Sequence, residues 1–340
     1  MLIKRILVTG GAGFIGSALV EKLLENKQNH VFNIDKLSYA GSLKRLNQLK
    51  NNKRHYHYKF DLSDKSQTLS CFKEIDPDLV IHLAAESHVD KSLIDPSNFI
   101  QSNIVGTFNL LEASRKHFIK LTEKRKETFR FHHVSTDEVF GSLNEFGQFS
   151  ESSNYDPRSP YSASKAASDH LVNSWFHSFS LPIVISNCSN NYGPYQYPEK
   201  IIPLAILNGI QGKEIPLYGD GMNIRDWLYV DDHIEALLLV AKRGVIGQRY
   251  CIGGNCEKTN KNLLNHICNL LDIYCPKSYK HKKLIKYVSD RPGHDKRYSI
   301  NTKKISTELG WKTKYSFEQG IEKTVKWYIN NTNWWENIYE

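Results

Sequence analysis

Short apolar runs alternate with longer amphipathic stretches along the first half of this chain. Such runs are typical of buried strands, whereas apolar residues spaced three and four apart are typical of helices. The pattern predicts strands at 6–8, 31–34, 55–60, 79–83, 131–135 and 182–188, with helices ending near 26 and spanning about 97–117 and 161–179. Strands that alternate with helices indicate an α/β fold with a doubly wound, parallel sheet of the Rossmann type. Ligands of such sheets bind at the carboxyl ends of the strands.

The pattern changes after residue 188, where turn residues, aromatic residues and isolated cations become denser and the strand–helix alternation weakens. We therefore predict a Rossmann domain at 1–188 and a smaller C-terminal substrate-binding domain at 189–340. We leave open that some segments around 227–250, for example 227–230, return to the first domain.

Composition narrows the classes of partner. The net charge of +9 is spread over 340 residues rather than gathered in one arm, which favours an anionic small molecule over nucleic acid. The six cysteines include no C-x-x-C pair and no metal-ligand spacing, so we expect reduced thiols and no metal site. The chain begins directly with a strand-like run, and no apolar stretch approaches membrane-spanning length. We expect a cytoplasmic protein without a membrane partner.

A glycine-rich turn follows the first strand and opens a helix, which is the context of a dinucleotide-binding loop. The spacing is G-x-x-G-x-x-G, and such glycines let backbone amides approach a pyrophosphate at the helix N-terminus. The next strand ends in Asp35, which can accept hydrogen bonds from both ribose hydroxyls and repels a 2′-phosphate. NAD is therefore the predicted cofactor, and Lys36 keeps NADP open. The predicted cofactor contacts here are Gly10, Gly13, Phe14, Ile15, Gly16, Asp35, Lys36, Asp61, Leu62, Leu83, Ala84 and Ala85.

Candidate proton-transfer groups cluster between residues 135 and 165. Tyr161 and Lys165 share one face of a predicted helix, where the ammonium and the positive helix end favour the phenolate. Asp137 and Glu138 are adjacent, and two close carboxyls in a desolvated site resist double ionisation. Neighbours on a regular strand point to opposite faces, so both can serve one ligand only if the strand has ended by Thr136. The alternative is that the two carboxylates merely cap the next element.

Cations in the second half are candidate anion contacts. Lys200, Arg225 and Arg291 could bind phosphate, and Arg is suited to bidentate recognition of phosphate oxygens. From chemistry alone, a residue of this kind is more often a surface salt bridge than a ligand. His88, in a loop after a predicted strand, could contact a substrate or simply face solvent.

Several motifs together resemble a known family. GGAGFIG, LAAESHVD, VSTDEVFG, YSASK, NCSNNYGPYQYPEK, IRDWLYV and DRPGHD occur in an order and spacing similar to the dTDP-glucose 4,6-dehydratase family, within the extended short-chain dehydrogenase/reductase superfamily. The glycine motif and Tyr-x-x-x-Lys are shared across the superfamily, so the triplet at 136–138 is the more specific signal. By this resemblance, sugar epimerases lack both carboxylates, while nucleotide-sugar decarboxylases and GDP-mannose dehydratases keep the Glu without the Asp.

The resemblance implies a lyase (hydro-lyase) of deoxysugar biosynthesis, such as rhamnose biosynthesis, which retains NAD tightly and regenerates it at each turnover. Its reaction is oxidation at C4 of dTDP-glucose, elimination of water across C5 and C6, and hydride return to C6. Tyr161 would take the C4 hydroxyl proton, Glu138 the C5 proton, and Asp137 would protonate the departing C6 hydroxyl. Thr136 would bind the sugar or Tyr161, and Tyr161 and Lys165 would also contact the cofactor. The implied substrate contacts are Ser87, His88, Thr136, Asn190, Lys200, Arg225, Asn260, Arg291 and His294.

The resemblance also implies a homodimer, formed through a four-helix bundle of the helices at about 97–117 and 161–179. The chain ends at Glu340, before a segment that in relatives reaches toward the nucleotide, so UDP-glucose stays open as the substrate. A nucleotide-sugar 4-epimerase or decarboxylase is the alternative within the superfamily. A catalytically silent NAD-binding scaffold is the alternative from another class.

Overall fold

The computed structural model describes residues 4–336 as an arrangement of strands and helices. The strands are β1 (Lys4–Thr9), β2 (Asn29–Asp35), β3 (His55–Lys59), β4 (Leu79–His82), β5 (Arg130–Thr136), β6 (Ile183–Cys188), β7 (Asn190–Tyr192), β8 (Ile215–Tyr218), β9 (Ile224–Tyr229), β10 (Arg249–Ile252), β11 (Glu257–Thr259) and β12 (Ile285–Val288). The α-helices are α1 (Phe14–Glu25), α2 (Lys65–Ile75), α3 (Val89–Ile94), α4 (Ser97–Phe99), α5 (Gly106–Lys120), α6 (Glu123–Thr128), α7 (Pro160–Phe179), α8 (Ile201–Gln211), α9 (Val230–Arg243), α10 (Asn260–Tyr274), α11 (Lys303–Leu309), α12 (Phe317–Asn330) and α13 (Thr332–Trp335). Short 3-10 helices lie at Arg45–Leu49, Asp137–Phe140 and His281–Leu284, and a π-helical stretch at Ile100–Val105.

The main sheet has seven strands in the order β10-β6-β5-β4-β1-β2-β3, and each neighbouring pair is parallel. Parallel neighbours require crossover connections, which here are largely helical, so the predicted doubly wound α/β fold is confirmed. Because all strands run the same way, Thr9, Asp35, His82, Thr136 and Cys188 end at one edge of the sheet. Side chains that are far apart in sequence therefore meet there.

The second half builds its own hydrophobic core. A three-stranded sheet, β11-β9-β7, and a two-stranded sheet, β12-β8, pack with helices α8, α10 and α12. Side chains such as Ile206, Leu264, Ile321 and Tyr328 fill this core and are fully buried. The domain division at residue 188 remains a prediction.

The segment around 227–250 divides between the two parts. Strand β9, which contains Trp227, pairs with β7 and β11 in the smaller sheet, so the example of 227–230 joining the first sheet was wrong. The reason is that β7 directly follows β6 and brings β9 alongside itself. Helix α9 instead packs on α1, and β10 becomes the edge strand next to β6.

The helix predicted at about 97–117 is interrupted by the wider π-helical turn. Asn103, in this turn, donates through Nδ2 to the Glu86 carbonyl at 3.0 Å and to Ser164 Oγ at 2.8 Å. Its own carbonyl accepts from Ser168 Oγ at 2.6 Å. These contacts with α7 hold the wide turn, a feature that often occurs at functional sites.

The loop between β1 and α1 is closed tightly by glycines. Gly10 has φ +74°, a conformation that L side chains rarely adopt. A Cβ on Gly16 would lie 2.1 Å from the Gly10 carbonyl oxygen, so the helix can approach the loop only with glycine there. A Cβ on Gly13 would meet that same oxygen at 3.3 Å and otherwise open space.

We expect Gly16→Ala to lower the free energy of unfolding by about 2 kcal/mol, the scale of an overpacked site, because backbone must move away from the new methyl group. Urea unfolding of both proteins measures the difference. Gly13→Ala is the matched control and should lose much less stability. Equal losses in the two variants would contradict the close packing at Gly16.

Candidate active site

A cavity of about 310 Å³ runs along the carboxyl edge of the main sheet. It is lined by the glycine loop, by the ends of several strands and by the first residues of the second half. The predicted site residues along it are Gly10, Gly13, Phe14, Ile15, Gly16, Asp35, Lys36, Asp61, Leu62, Leu83, Ala84, Ala85, Ser87, Thr136, Asp137, Glu138, Tyr161, Lys165, Asn190 and Lys200. The remaining predicted substrate contacts, His88, Arg225, Asn260, Arg291 and His294, lie outside this lining.

The glycine end of the cavity fits a dinucleotide. Gly13, at the N-cap of α1, has no side chain to fill the space in front of the helix. The first turn of α1 carries neither a side-chain cap nor an acidic residue, so its amides and its positive end face the cavity. A pyrophosphate can approach the backbone here.

Asp35 is fixed where the adenosine ribose of a dinucleotide would lie. Its Oδ2 accepts from the Ala12 amide at 2.9 Å and its Oδ1 from the Leu37 amide at 2.8 Å. Burial raises the pKa of Asp35, and these two backbone hydrogen bonds oppose that shift. The carboxylate is therefore held rigidly, as recognition of ribose hydroxyls requires.

Lys36 does not offer a free charge for a 2′-phosphate. Its Nζ lies 2.8 Å from Glu86 Oε1 and 3.6 Å from Asp61 Oδ2, and it donates to Ser102 Oγ at 2.6 Å. Two carboxylates already neutralise this ammonium, so the site favours NAD over NADP.

Strand β5 ends at Thr136, immediately before the paired carboxylates. Thr136 Oγ1 accepts a hydrogen bond from the Glu138 amide at 3.2 Å and so caps the 3-10 turn Asp137–Phe140. The turn removes the strand alternation, and both carboxylates reach the same cavity. The strand therefore ends by Thr136, as a shared role of Asp137 and Glu138 at one ligand requires.

The two carboxyl groups have different surroundings. Asp137 is 1% exposed, and burial raises its pKa well above the usual 3.8, with further contributions from the charges of Glu138 and Asp226. Burial also raises the pKa of Glu138, but the cations Lys200, Arg291 and Arg225 oppose that shift. Asp137 is accordingly suited to hold a proton, and Glu138 to accept one.

Tyr161 lies in the first turn of α7, behind Pro160 and a capping box formed by Ser159 and Ser162. Burial raises the pKa of its hydroxyl well above 10, the charge of Glu138 adds to the rise, and a hydrogen bond with Thr136 opposes it. The predicted lowering of this pKa is therefore not seen in the protein alone.

Lys165 is directed at the backbone. Its Nζ donates to the Val134 carbonyl at 2.9 Å, and the side chain is 4% exposed. This contact places the ammonium beside the end of β5 rather than on the Tyr161 oxygen. It accounts for the small influence of Lys165 on that hydroxyl.

The cations of the second half surround the Glu138 end of the cavity. Lys200 Nζ donates to the Ser87 carbonyl at 2.9 Å, and Arg291 pairs with Asp90 at 2.9 Å. Arg225 is 5% exposed and stacks over the Tyr298 ring at 4.3 Å. Their shared influence on Glu138 indicates a positive region suited to a diphosphate.

Three other predicted contacts serve the structure around the cavity. His88 caps α3 by accepting from the Lys91 amide, and its Nε2 lies 3.7 Å from Glu199 Oε2. His294 Nδ1 pairs with Asp290 at 2.6 Å. Asn260 begins α10 and is buried, and its backbone amide donates to the Asn223 carbonyl at 3.0 Å.

Sequence reasoning missed Glu199. This residue lines the cavity, and its Oε1 accepts from the Tyr39 hydroxyl at 2.9 Å. Its position next to the predicted Lys200 was the available signal. Ser189, Asn191 and Gln196 also line the cavity, and each belongs to the NCSNNYGPYQYPEK motif.

The GDP-mannose 4,6 dehydratase family model matches residues 7–324. The chain is 51% identical to dTDP-glucose 4,6-dehydratase of Salmonella typhimurium, over 98% of this chain and 95% of that protein. The chain belongs to the dTDP-glucose 4,6-dehydratase family. Two solved structures of dTDP-glucose 4,6-dehydratases are similar to this chain. The Bacillus anthracis enzyme, in complex with NAD, has a TM-score of 0.87 at 41% identity, and the Streptomyces venezuelae enzyme, with NAD and a TDP ligand bound, has 0.89 at 39%. Each alignment covers 98% of this chain and 99% of the other.

Membership of the dTDP-glucose 4,6-dehydratase family agrees with the geometry of this cavity. The glycine loop fits a dinucleotide, the paired carboxyls and Lys200 line the same cavity, and Arg225 and Arg291 act on Glu138 from outside its lining. The fold alone could not have distinguished the reaction, because related folds carry many chemistries.

We expect Asp137→Asn to stabilise the protein increasingly as pH rises. Because the folded-state pKa of Asp137 is raised above 3.8, the stability present at low pH is lost as pH rises through the folded pKa. The amide avoids that loss, which we expect to reach about 1–3 kcal/mol at neutral pH. Denaturant unfolding between pH 4 and 8 measures it.

Asp64→Asn is the control for this pH series. Asp64 caps α2 by accepting from the Gln67 amide, and this hydrogen bond lowers its pKa. The stability that its charge contributes is fully present above pH 3.8 and is lost only as pH falls below that value, so between pH 4 and 8 its variant should differ from the wild type by a constant amount. Parallel trends in the two variants would contradict the assignment to Asp137.

Proposed function

We propose that this chain is a nucleotide-sugar 4,6-dehydratase that converts dTDP-glucose to dTDP-4-keto-6-deoxyglucose and water. The observation that carries the proposal is the pair Asp137 and Glu138, which reach the same cavity as Tyr161 with different charge surroundings. An oxidation at C4 alone needs one base, whereas elimination of water needs an acid and a base in addition.

Each residue has one task in this reaction. Tyr161 accepts the proton of the C4 hydroxyl, with Thr136 orienting its oxygen. Glu138 then removes the C5 proton, which the new C4 ketone has made acidic, while Asp137 gives its proton to the departing C6 hydroxyl. A proton returns to C5 when the hydride returns to C6, and the proton that Tyr161 took from the C4 hydroxyl balances the one that Asp137 gave up. When bound, NAD supplies the two-electron acceptor at C4 and the donor at C6, and its positive ring favours the Tyr161 phenolate.

The cations of the second half support the choice of a nucleoside diphosphate sugar. Lys200 lines the cavity together with Glu138, and Arg225 and Arg291 add positive charge that also acts on Glu138. We assign the diphosphate to this region, and assign Asn190 to the substrate because it lines the cavity between the two ends. Lys165 is assigned to the cofactor ribose.

UDP-glucose is the alternative substrate, since none of the assigned contacts reads the base. A 4-epimerase or decarboxylase is disfavoured, because neither reaction requires Asp137 as a second carboxyl group. A catalytically silent scaffold is disfavoured, because burial of the ionisable groups of Asp137, Glu138 and Lys165 lowers stability. A protein without catalysis would have no use for this arrangement.

A homodimer is part of the proposal. The helical stretch 97–120 packs against α7, and its outward face carries Phe108 and Ile100, which are 36% and 44% exposed. Phe108 contacts Trp175, which contacts the exposed Phe179, so the apolar surface continues across both helices. A second copy of this surface would complete a four-helix bundle.

We also propose a cytoplasmic location. Among residues 4–336, no helix is long and apolar enough to cross a membrane.

Incubation of the purified protein with dTDP-glucose should yield a product lighter by one water, detected by mass spectrometry, without added NAD. UDP-glucose in a parallel reaction should be converted more slowly. Glu138→Gln should lower the rate at least about 100-fold, because the base for C5 is lost. Glu123→Gln, on an exposed side chain, is the control and should keep the wild-type rate. A C4 epimer as the product would contradict the proposal.

Light scattering at micromolar concentration should give the mass of a dimer. Phe108→Glu should give a monomer, because a charge would be buried in the apolar interface. Phe146→Glu, on a side chain that is 85% exposed outside these helices, should leave the dimer intact. A monomeric wild-type protein would exclude the four-helix bundle.

A further inference from the structure

Asp169 is a charged group inside the protein that the proposed mechanism does not use. It lies one turn after Lys165 on α7 and is 0% exposed, outside the cavity lining. Its Oδ1 accepts from His133 Nε2 at 3.1 Å, and its Oδ2 from the Tyr155 hydroxyl at 2.9 Å and Asn187 Nδ2 at 3.3 Å. Such complete satisfaction of a buried carboxylate indicates that it stays ionised.

The charges around Asp169 leave it negative. Burial alone would raise its pKa, but the hydrogen bond from His133 and the cations Arg249 and Lys165 lower it to about 2. Burial lowers the pKa of His133 to about 4, so this partner is neutral at pH 7. The negative charge is therefore balanced by Arg249, on β10, and by Lys165.

Lys165 depends on that charge. Burial lowers the pKa of its ammonium, and Asp169 is the first of the groups that oppose the shift, followed by Cys188 on β6. The other titratable groups that respond to Lys165 are His82 on β4 and His133 on β5, and burial keeps both neutral. Asp169 is thus the main anion supporting a buried cation.

The same carboxylate is linked to the catalytic turn. Asn187 donates through Nδ2 to Asp169 and also to the Thr136 carbonyl at 2.9 Å. Asn187 lies opposite Ser135 in the pairing of β5 with β6. The peptide that starts the turn of Asp137 and Glu138 is therefore tied to Asp169 through one amide side chain.

We propose that Asp169 is a positioning residue of this dehydratase: it stabilises the Lys165 ammonium and, through Asn187, holds the Thr136 carbonyl at the end of β5. The inference rests on the proposed function for its kinetic consequences. It also predicts the charge state of Lys165 in the protein with NAD bound, which can be measured without substrate.

The test is Asp169→Asn in the NAD-loaded protein. Loss of the negative charge should lower the Lys165 pKa. In the pH profile of kcat, the alkaline limb should therefore move about one pH unit lower. The titration of ¹⁵N-labelled Lys165, followed by NMR, should move in the same direction. If wild-type protein releases no product while the lysine titration still shifts, the proposed function fails and the role of Asp169 stands.

Asn187→Ala separates the two parts of the role. It keeps the Asp169 charge but frees the Thr136 carbonyl, so kcat should fall about tenfold or more while the alkaline limb stays in place. An unchanged kcat in Asn187→Ala would overturn the link to the catalytic turn.

Asp232→Asn is the structural control. Asp232 is also buried and accepts from the amides of Lys314 and Tyr315, far from Lys165 in the chain. It should leave the alkaline limb in place, because Asp232 is not among the charged groups that act on Lys165. If Asp169→Asn behaves in the same way, with the Lys165 titration unmoved, the proposal is overturned.

If Asp169→Asn does not fold, Arg249→Gln is the alternative test, and the shift of the alkaline limb is expected in the opposite direction. This variant removes a cation that, like Lys165, acts on Asp169, so less positive charge surrounds the lysine and the alkaline limb should move to higher pH. An unmoved or lowered limb would overturn the proposal.

Discussion

The active site depends on β5 ceasing to be a strand at Thr136. Side chains alternate along a strand, so two adjacent carboxylates would otherwise point to opposite faces of the sheet. The Thr136 hydroxyl accepts from the Glu138 amide and replaces the strand pattern with a 3-10 turn. Because Thr136 is also where the parallel strands reach their common edge, the turn opens at the side of the sheet where ligands of such folds bind. The rest of the cavity is arranged around this turn.

Burial gives the two carboxyls different roles. A desolvated carboxylate is costly, so Asp137, close to Glu138 and Asp226, is driven toward its neutral form. Burial raises the pKa of Glu138 as well, but this side chain is only partly buried, and Lys200, Arg225 and Arg291 favour its charge. The first half of the chain therefore places the acid, and the second half makes its neighbour a base. Keeping the Asp137 carboxyl in so desolvated a place lowers stability at neutral pH.

Local patterns in the sequence predicted what depends on local structure. The glycine loop, the strand ends and the pairing of Tyr161 with Lys165 on one helix follow from spacing alone, and all of them lie along one cavity. The hydrogen-bond and ion-pair partners of individual side chains could not be predicted from spacing, because these partners lie on elements that are distant in sequence. Lys165 donates to Val134 on β5, and Lys36 pairs with Glu86 after β4. The placement of β9 beside β7 likewise depends on tertiary pairing.

A helix motif identifies a base but does not set its charge state. Tyr-x-x-x-Lys places a phenol near an ammonium, yet the charges that act on Tyr161 in the folded protein are mainly the neighbouring carboxylates. The ammonium of Lys165 is directed at a backbone carbonyl and supported by Asp169 from behind. In the proposed mechanism, the positive charge of a bound cofactor would favour the phenolate. Under this proposal, proton removal at C4 would depend on a bound oxidised cofactor, so the sugar would not be deprotonated where no electron acceptor is present.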